Sequence, residues 1–286
     1  MKKLTFVLVL VLVMAFGLAS VAYAITNGQP DGDNHPYVGL LVFDVNVWDE
    51  VNEEWVPVPA WRCSGALIAP NVVLTAGHCT EGADGARVWF DEIVEGNLEY
   101  PFSGTTSYEG DPYLNDDYRS AENPYGGGNG LPAFSYRDVG VVVLSESVPT
   151  DVVGENEYAT LPTAGLVDTL KNKTDVDLVG YGVQDQIQGG GPPYWGVRDK
   201  VRLFAPSQLV SGKFVHSAEF MRLSLNPGQD KGGTCFGDSG GPDLLGGTDT
   251  VLAVNSYVTN YNCSGVGYSS RVDIPEILDW INGFMP

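Results

Sequence analysis

The chain has 286 residues, of which 43% are hydrophobic, and its 36 acidic and 15 basic residues give a formal net charge of −21. This length and apolar content suffice for a globular protein with one or two hydrophobic cores. A field this negative repels nucleic acids and anionic membrane surfaces, so we expect neither as a partner.

Residues 1–24 have the three parts of a secretory signal. Two lysines follow Met1, a mostly apolar run reaches Val21, and Ala22-Tyr23-Ala24 is a small-x-small cleavage site. Cleavage would start the mature chain at Ile25 and lower the formal charge to −23, because the segment carries two lysines and no acidic residue. The apolar run could also anchor in a bilayer. The cleavage site and the polar sequence after it favour export instead, with no membrane contact afterwards.

The remaining sequence predicts an all-β protein. Short apolar runs are separated by turns of Gly, Pro, Asn and Asp, the pattern of β-sandwiches and β-barrels. The clearest runs are 38–43, 139–144, 176–179 and 251–254.

One helix is predicted, near the carboxyl terminus over about 273–283. Asp273 can cap it, Pro275 is tolerated in its first turn, and Gly283 can close it. Four apolar residues share one face at helical spacing, namely Ile274, Ile277, Leu278 and Ile281. This face should pack on the second core.

A serine set between glycines lies late in the chain, in Cys235-Phe236-Gly237-Asp238-Ser239-Gly240-Gly241-Pro242. A serine hydroxyl is a weak nucleophile at neutral pH, so acyl transfer requires an adjacent base and fixed donors for the developing oxyanion. Flanking glycines allow a tight turn and a close approach of the backbone to a substrate. Because such residues also form ordinary turns, a nucleophile here requires a base and an orienting carboxylate elsewhere.

The sequence offers a candidate for each of these groups. His78 ends the strand-like run that begins at Ala66 and is followed by Cys79, a setting that neither other histidine shares. Asp138 enters the apolar run 139–144, where a partly buried carboxylate is costly unless it is paired. An imidazole N–H is the partner that this carboxylate needs.

With His78, Asp138 and Ser239 in this order, the chain resembles the chymotrypsin-like (trypsin-fold) serine endopeptidases from Ile25 to the C-terminal helix. The resemblance implies that Ser239 is the nucleophile, His78 the general base and then acid, and Asp138 the group that orients His78. The N–H groups of Gly237 and Ser239 would form the oxyanion hole.

The resemblance also implies the architecture. It predicts a single protease domain over 25–286, built from two antiparallel six-stranded β-barrels and the C-terminal α-helix. The first barrel would cover about 25–150 and the second about 170–270. Periodicity alone does not choose between barrels and a sandwich.

In the resembled family, a new amino terminus ion-pairs with the aspartate just before the serine. Here the pair would be Ile25, at the start of Ile25-Thr26-Asn27-Gly28, and Asp238. Cleavage of the signal would then produce active enzyme without a zymogen stage.

Four cysteines in an exported chain allow two disulfide bonds with three connectivities. The resemblance selects Cys63 with Cys79 and Cys235 with Cys263. The alternative, a zinc site at Cys63, His78 and Cys79, lacks a further Cys or His nearby to complete a tetrahedral set.

The resemblance places Gly233 at the floor of the pocket for the side chain before the scissile bond, where a trypsin-like enzyme has an aspartate. An Arg or Lys side chain would be buried there unpaired, which is costly. Asp230 would need a three-residue slip to reach this floor. Because Val258 would shorten the pocket, we expect cleavage after small to medium apolar residues. The implied substrate-binding residues are Gly233, Thr234, Ser256, Tyr257 and Val258. The resemblance also implies that Ser256 forms a hydrogen bond with Asp138 and that the strand it opens pairs with an extended substrate.

Two stretches are longer than in compact members of the family. Residues 44–62 extend an early hairpin with acidic and aromatic residues, and residues 100–136 form a Gly/Pro/Tyr/Asp-rich loop. Long loops are either solvated, functional or disordered. We expect solvated loops and no cofactor. The alternatives are substrate-binding walls, or a calcium site formed by carboxylates such as Asp111, Asp116 and Asp117.

The sequence therefore predicts a secreted, extracellular serine endopeptidase that acts on proteins or peptides and could meet protein inhibitors. The alternative is a catalytically silent, protease-like binding module. An esterase on another fold is disfavoured, because Ser239 does not lie in a Gly-x-Ser-x-Gly elbow with the histidine last in the chain.

Overall fold

The computed structural model describes residues 25–120, 135–154, 158–187, 194–197, 199–210, 218–226, 231–259 and 263–286. The proposed signal segment 1–24 and Asp230 lie outside these ranges. The strands are β1 Gln29–Pro30, β2 Val38–Asp49, β3 Glu54–Ala69, β4 Val72–Thr75, β5 Gly85–Trp89, β6 Ser107–Leu114, β7 Gly140–Leu144, β8 Asp175–Gly180, β9 Asp185–Ile187, β10 Tyr194–Val197, β11 Leu203–Gln208, β12 Phe220–Ser224, β13 Pro242–Leu245, β14 Val251–Val258 and β15 Val266–Arg271. The helices are α1 Gly77–Thr80, α2 Thr150–Val153, α3 Leu166–Thr169 and α4 Pro275–Asn282.

The first half of the chain forms a closed antiparallel barrel with the strand order β2-β3-β4-β7-β6-β5. Its core is built from strands rich in Val and Leu, which suit a pleated, buried surface. The predicted run 38–43 forms the first half of β2 and the run 139–144 contains all of β7, and both runs are largely buried. The barrel brings the ends of β4 and β7 together, because Thr75 pairs with Gly140.

The second half forms a seven-stranded antiparallel sheet with the order β1-β11-β8-β13-β14-β15-β12. Its ends approach one another where Leu209 bridges to Leu223, so six of its strands almost close a second barrel. The all-β prediction is therefore confirmed. The structure has one closed barrel and one curved sheet whose ends are joined by a single β-bridge. β1 lies in the range predicted for the first barrel but pairs with β11, because the neighbouring Ile25 is buried in the second core.

The prediction of a continuous loop over residues 100–136 is wrong for 107–114, which form the barrel strand β6. The segment contains Gly110 and Pro112 and lacks β-branched residues, so no local signal marks a strand. Tertiary packing decides instead: a β-carbon on Gly110 would lie 2.6 Å from the carbonyl oxygen of Val143. Pro112 is tolerated because it lies beyond the part of β6 that pairs with β5. Residues 121–134 of this stretch are outside the described ranges.

Residues 44–62 extend a hairpin, as expected. β2 and β3 continue pairing to Asp49 and Glu54, well past the barrel. The indole rings of Trp48 and Trp55 pack edge to face near the tip, with centroids 5.6 Å apart, and both side chains are exposed. The extension is thus an ordered two-stranded arm.

The C-terminal helix α4 begins later than predicted, at Pro275, and its N-cap residue Ile274 makes no side-chain cap. Asp273 does not cap α4, because its carboxylate binds the Arg271 guanidinium and the N–H of Val167 instead. The predicted apolar face is buried, but the expectation that it packs on the second core is wrong. Its residues belong to the hydrophobic cluster that contains the first-barrel core, and Phe284 just after α4 packs on Tyr113 of β6. No helix in the described ranges combines the length and apolar character that crossing a membrane requires.

Asp243 in β13 is a buried carboxylate in the middle of the second sheet. Its side chain is fully buried, and neither oxygen has a hydrogen bond of good geometry. Burial raises the pKa of Asp243 to about 8, which the Ser269 hydroxyl offsets only in part. Since its usual value is 3.8, the folded protein binds this proton more tightly than the unfolded chain does.

We therefore expect the folded state to lose stability as the pH rises from about 4 to about 8, because Asp243 must then ionise in the core. Asp243→Asn should remove this loss, which is on the order of 5 kcal/mol above pH 8. Urea unfolding of both proteins at several pH values measures the difference. If the difference in the free energy of unfolding between the two proteins does not change with pH, the raised pKa of Asp243 is contradicted.

Candidate active site

The predicted nucleophile lies in a tight turn that two glycines make possible. Gly237 has φ of +97° and Gly240 has φ of +77°, values that other residues adopt only with strain. A β-carbon on Gly240 would overlap Thr75 Oγ1 and lie 2.6 Å from the carbonyl oxygen of Ser64. The turn thus packs directly against the first barrel.

The serine turn is held from both sides. From β3, the N–H of Ser64 donates to the carbonyl of Ser239 at 2.8 Å, and Ser64 Oγ donates to the carbonyl of Gly237 at 3.0 Å. From β14, the carbonyl of Asn255 accepts from the N–H of Gly240 at 2.7 Å. Ser239 therefore lies at the junction of the barrel and the second sheet.

His78 and Asp138 meet on the barrel side of this junction. His78 lies in α1, just after β4, and Asp138 lies just before β7. His78 Nδ1 is 2.8 Å from Asp138 Oδ2, and the His78 main-chain N–H donates to Oδ1 at 2.7 Å. The Ser256 hydroxyl also donates to Oδ2. The Asp138 side chain is 1% exposed, whereas that of His78 is 31% exposed.

These contacts decide the protonation of the pair. Burial raises the pKa of Asp138, but the charge and hydrogen bonds of His78, with that of Ser256, lower it overall. An ionised carboxylate only accepts hydrogen bonds, so His78 Nδ1 carries a proton and neutral His78 has Nε2 free as a base. Burial lowers the pKa of His78, but the charge and hydrogen bond of Asp138 and the charge of Glu81 together raise it above the usual 6.5.

The structure does not join Ser239 to His78 by a hydrogen bond within the described residues. His78 Nε2 instead lies 3.7 Å from Cys79 Sγ. Catalytic hydrogen bonds are often long before a substrate binds, so this geometry does not remove either residue as a candidate.

The Asp238 side chain turns away from the surface. Its oxygens accept from the N–H groups of Gly182 at 2.7 Å and Cys235 at 2.9 Å. Burial raises its pKa to about 7 despite these bonds. Ile25 is buried in the second core, and Thr26 pairs with Gly233.

Both cysteine pairs are bonded as the resemblance implies. Cys63 pairs with Cys79 and Cys235 pairs with Cys263, leaving no free thiol. Within the described residues, Cys63, His78 and Cys79 form the one group of three potential metal ligands. Its two sulfurs are bonded to each other, so they are not available as thiolates. Asp111, Asp116 and Asp117 are exposed and do not form such a group.

The predicted pocket residues lie on two segments: Gly233 and Thr234 come just before the serine turn, and Ser256, Tyr257 and Val258 end β14. A β-carbon on Gly233 would lie 2.8 Å from Leu225, and one on Gly267 would lie 2.9 Å from Leu225 Cδ2. Leu225 therefore packs beneath the predicted floor. Thr234 is buried.

The wall of this pocket is apolar too. Val258 packs against the cluster formed by Val183 and the Cys235–Cys263 disulfide. Tyr257 stacks on Tyr268, with centroids 4.9 Å apart.

Sequence comparison decides the family. A model of the family described as Trypsin matches residues 51–281, which span the candidate triad, both disulfides and the pocket. The chain belongs to the trypsin family. It is a serine endopeptidase of the chymotrypsin-like class, and its substrates are proteins or peptides.

The relatives within this family are distant. Bovine proproteinase E is 27% identical over 232 residues, which cover 77% of this chain and 82% of the bovine protein. Collagenase of Hypoderma lineatum is 24% identical and covers 97% of this chain and 95% of its own. A solved structure titled HL collagenase matches with a TM-score of 0.60 at 18% identity, covering 92% of this chain and 96% of its own. This last likeness shows the fold alone.

Sequence reasoning missed Ser64 and Arg62, which flank the serine turn from β3. Ser64 Oγ both donates to Gly237 and accepts from the N–H of Tyr181 at 3.0 Å. Their position next to Cys63, whose partner Cys79 adjoins His78, was the signal that could have pointed to them.

Proposed function

We propose that this protein is a secreted endopeptidase that cleaves peptide bonds through an acyl-enzyme on Ser239. The observation that carries the proposal is the buried Asp138 carboxylate bound to the partly exposed His78, on the segment that packs against the glycine-containing serine turn. An ionised carboxylate that accepts three hydrogen bonds holds the imidazole through Nδ1 and leaves Nε2 unprotonated as a base.

The reaction follows from the placement of donors and acceptors. His78 Nε2 removes the Ser239 proton as Oγ attacks the peptide carbonyl carbon, and the carbonyl oxygen becomes an oxyanion. The N–H groups of Gly237 and Ser239 bind that oxyanion. His78 then gives its proton to the departing amine as the C–N bond breaks. Water, deprotonated by His78, hydrolyses the ester and restores Ser239.

The pocket supports cleavage after small to medium apolar residues. Its floor has no side-chain carboxylate at Gly233, and Leu225 packs beneath it. A buried Arg or Lys side chain would leave its charge unpaired there, which costs several kcal/mol. The side chain of Val258 narrows the wall.

A peptide library with each amino acid before the scissile bond tests both the activity and the pocket. We expect cleavage after Ala, Val or Leu at least tenfold faster than after Arg, and none by Ser239→Ala. Efficient cleavage after Arg with none after Ala, Val or Leu would overturn the specificity. No cleavage of any peptide would favour a silent, protease-like binding module.

The proposed activation rests on the amino end of the mature chain. Asp238 is fully buried with only main-chain donors within the described residues, so a new cation at Ile25 would lower its raised pKa and complete its bonding. The intact mass of the exported protein tests this step. A mature chain that starts anywhere other than Ile25 would refute export in an already active form.

A further inference from the structure

Arg62 places a cation beside the serine turn. It lies in β3, next to Cys63, and is partly buried. A β-carbon on Gly237 would be 3.5 Å from Arg62 Nε and 3.8 Å from Nη2. The guanidinium is therefore adjacent to the residue whose N–H is proposed to bind the oxyanion.

The buried arginines have carboxylate partners, whereas the partly buried Arg62 has none within the described residues. Arg87 binds Asp44, and Arg202 binds Asp31. The Arg62 guanidinium makes neither an ion pair nor a hydrogen bond in this part of the chain. Its charge acts on two carboxylates, Glu95 and Asp238. Glu95 is already bonded to Lys200, whose hydrogen bond is the main cause of its lowered pKa, and Asp238 is bonded to main-chain N–H groups. The described residues therefore leave this cation without a partner in a protein with 36 acidic residues and 15 basic ones, so it can bind an anionic ligand.

The two sides of the serine turn show which part of a substrate would meet Arg62. On one side, β14 contacts Gly240 through Asn255, and its continuation from Ser256 is where the acyl part of an extended substrate would pair. On the other side, β3 contacts the turn through Ser64. The amine product must leave away from β14, which takes it over β3 and past Arg62.

A surface cavity is lined in part by Arg62. It has a volume of about 240 Å³, and Pro59, Trp61, Arg62 and Tyr100 are among its lining residues. Trp61 is fixed in this wall because its indole N–H donates to the carbonyl of Cys79 at 2.8 Å. Apolar walls with one cation fit a side chain that has methylene groups and a terminal carboxylate.

We propose that Arg62 binds a carboxylate on the leaving-group side of the substrate and so selects acidic residues just after the scissile bond. This inference rests on the proposed function. An extended chain advances about 3.3–3.6 Å per residue, so the first two residues after the bond are within reach of the guanidinium. Successive side chains point to opposite faces, so one of these two positions carries the preference.

The test uses pairs of peptides that share an apolar residue before the scissile bond. Each pair has Glu or Gln at the first or the second position after the bond, with an amidated carboxyl terminus. We expect kcat/KM about three- to tenfold higher for Glu at one position, as for a partly exposed charged hydrogen bond. A further pair, with Gln and a free or amidated terminus after the second residue, separates a side-chain carboxylate from a terminal one.

Variants of Arg62 show whether this residue causes the preference for Glu over Gln. Arg62→Gln should bring the Glu/Gln ratio to about one, Arg62→Lys should retain part of it, and R62E should favour Lys at the same position. The Glu/Gln ratio is taken within each variant, so a general change in activity cancels. Hydrolysis of a small ester whose leaving group carries no amino acid shows whether the triad of each variant still works.

The outcomes separate this inference from the proposed function. In one outcome, the parent hydrolyses the ester and the peptides but shows equal rates for Glu and Gln at both positions and for free and amidated termini. This result would refute the role of Arg62 and leave the proposed endopeptidase activity intact. A preference that persists in Arg62→Gln also refutes it. If neither ester nor peptide is hydrolysed, the proposed function itself fails.

Discussion

Asp138→Asn should lower kcat about 10⁴-fold while the protein stays folded. The main-chain N–H of His78 donates to Asp138 Oδ1, so the amide oxygen of the variant will occupy that position. Its NH₂ group then faces His78 Nδ1 and donates to it. The histidine proton is forced onto Nε2, and the base that should accept the Ser239 proton is lost.

The pH dependence of the parent and the variant provides the check. In the parent, kcat/KM should fall as the pH drops through the pKa of His78, which Asp138 holds above 6.5. Without the carboxylate, burial lowers this pKa, so any residual activity should persist to lower pH. Far-ultraviolet circular dichroism and urea unfolding control for folding. A variant with activity within tenfold of the parent would contradict the role of Asp138.

Gly240→Ala should destabilise the protein by more than about 4 kcal/mol, or prevent folding altogether. The added methyl group would overlap Thr75 Oγ1 and lie 2.7 Å from the main-chain nitrogen of Ala76. These atoms belong to the segment that carries His78, so the turn and the histidine cannot both keep their places.

Gly247→Ala is the matched control. Gly247 has φ of +71°, close to the +77° of Gly240, but no atom lies within 4 Å of its added β-carbon. It should cost only the left-handed strain of about 1–2 kcal/mol and leave activity unchanged. Urea unfolding and peptide hydrolysis measure both effects. Equal losses in the two variants would show that backbone strain, and not the contact with the barrel, fixes the serine turn.

The parts of the site that could be predicted from sequence have local signals. Gly-Asp-Ser-Gly after a cysteine, a histidine at the end of an apolar run, and an aspartate entering another run are each visible within a few residues. The apolar face of α4 was visible at helical spacing as well. Such features depend on neighbours in the chain, so a sequence shows them directly.

The missed features depend on contacts between distant segments. β6 looks like a loop because Gly110 is selected by the close approach of β7 and not by strand propensity. Asp273 looks like a helix cap in the sequence, but in the structure its carboxylate is occupied by Arg271 and the N–H of Val167. Arg62 belongs to no motif, and only the structure shows that its guanidinium lies 3.5 Å from the position of a β-carbon on Gly237.

The central claim is that Ser239 is an activated nucleophile in the folded, exported protein. Its most direct test is the intact mass of that protein before and after treatment with a fluorophosphonate, which phosphonylates activated serines with loss of fluoride. We predict one adduct per chain in the parent and none in Ser239→Ala. A correctly folded parent that gains no adduct, or an adduct that persists in Ser239→Ala, would contradict the account.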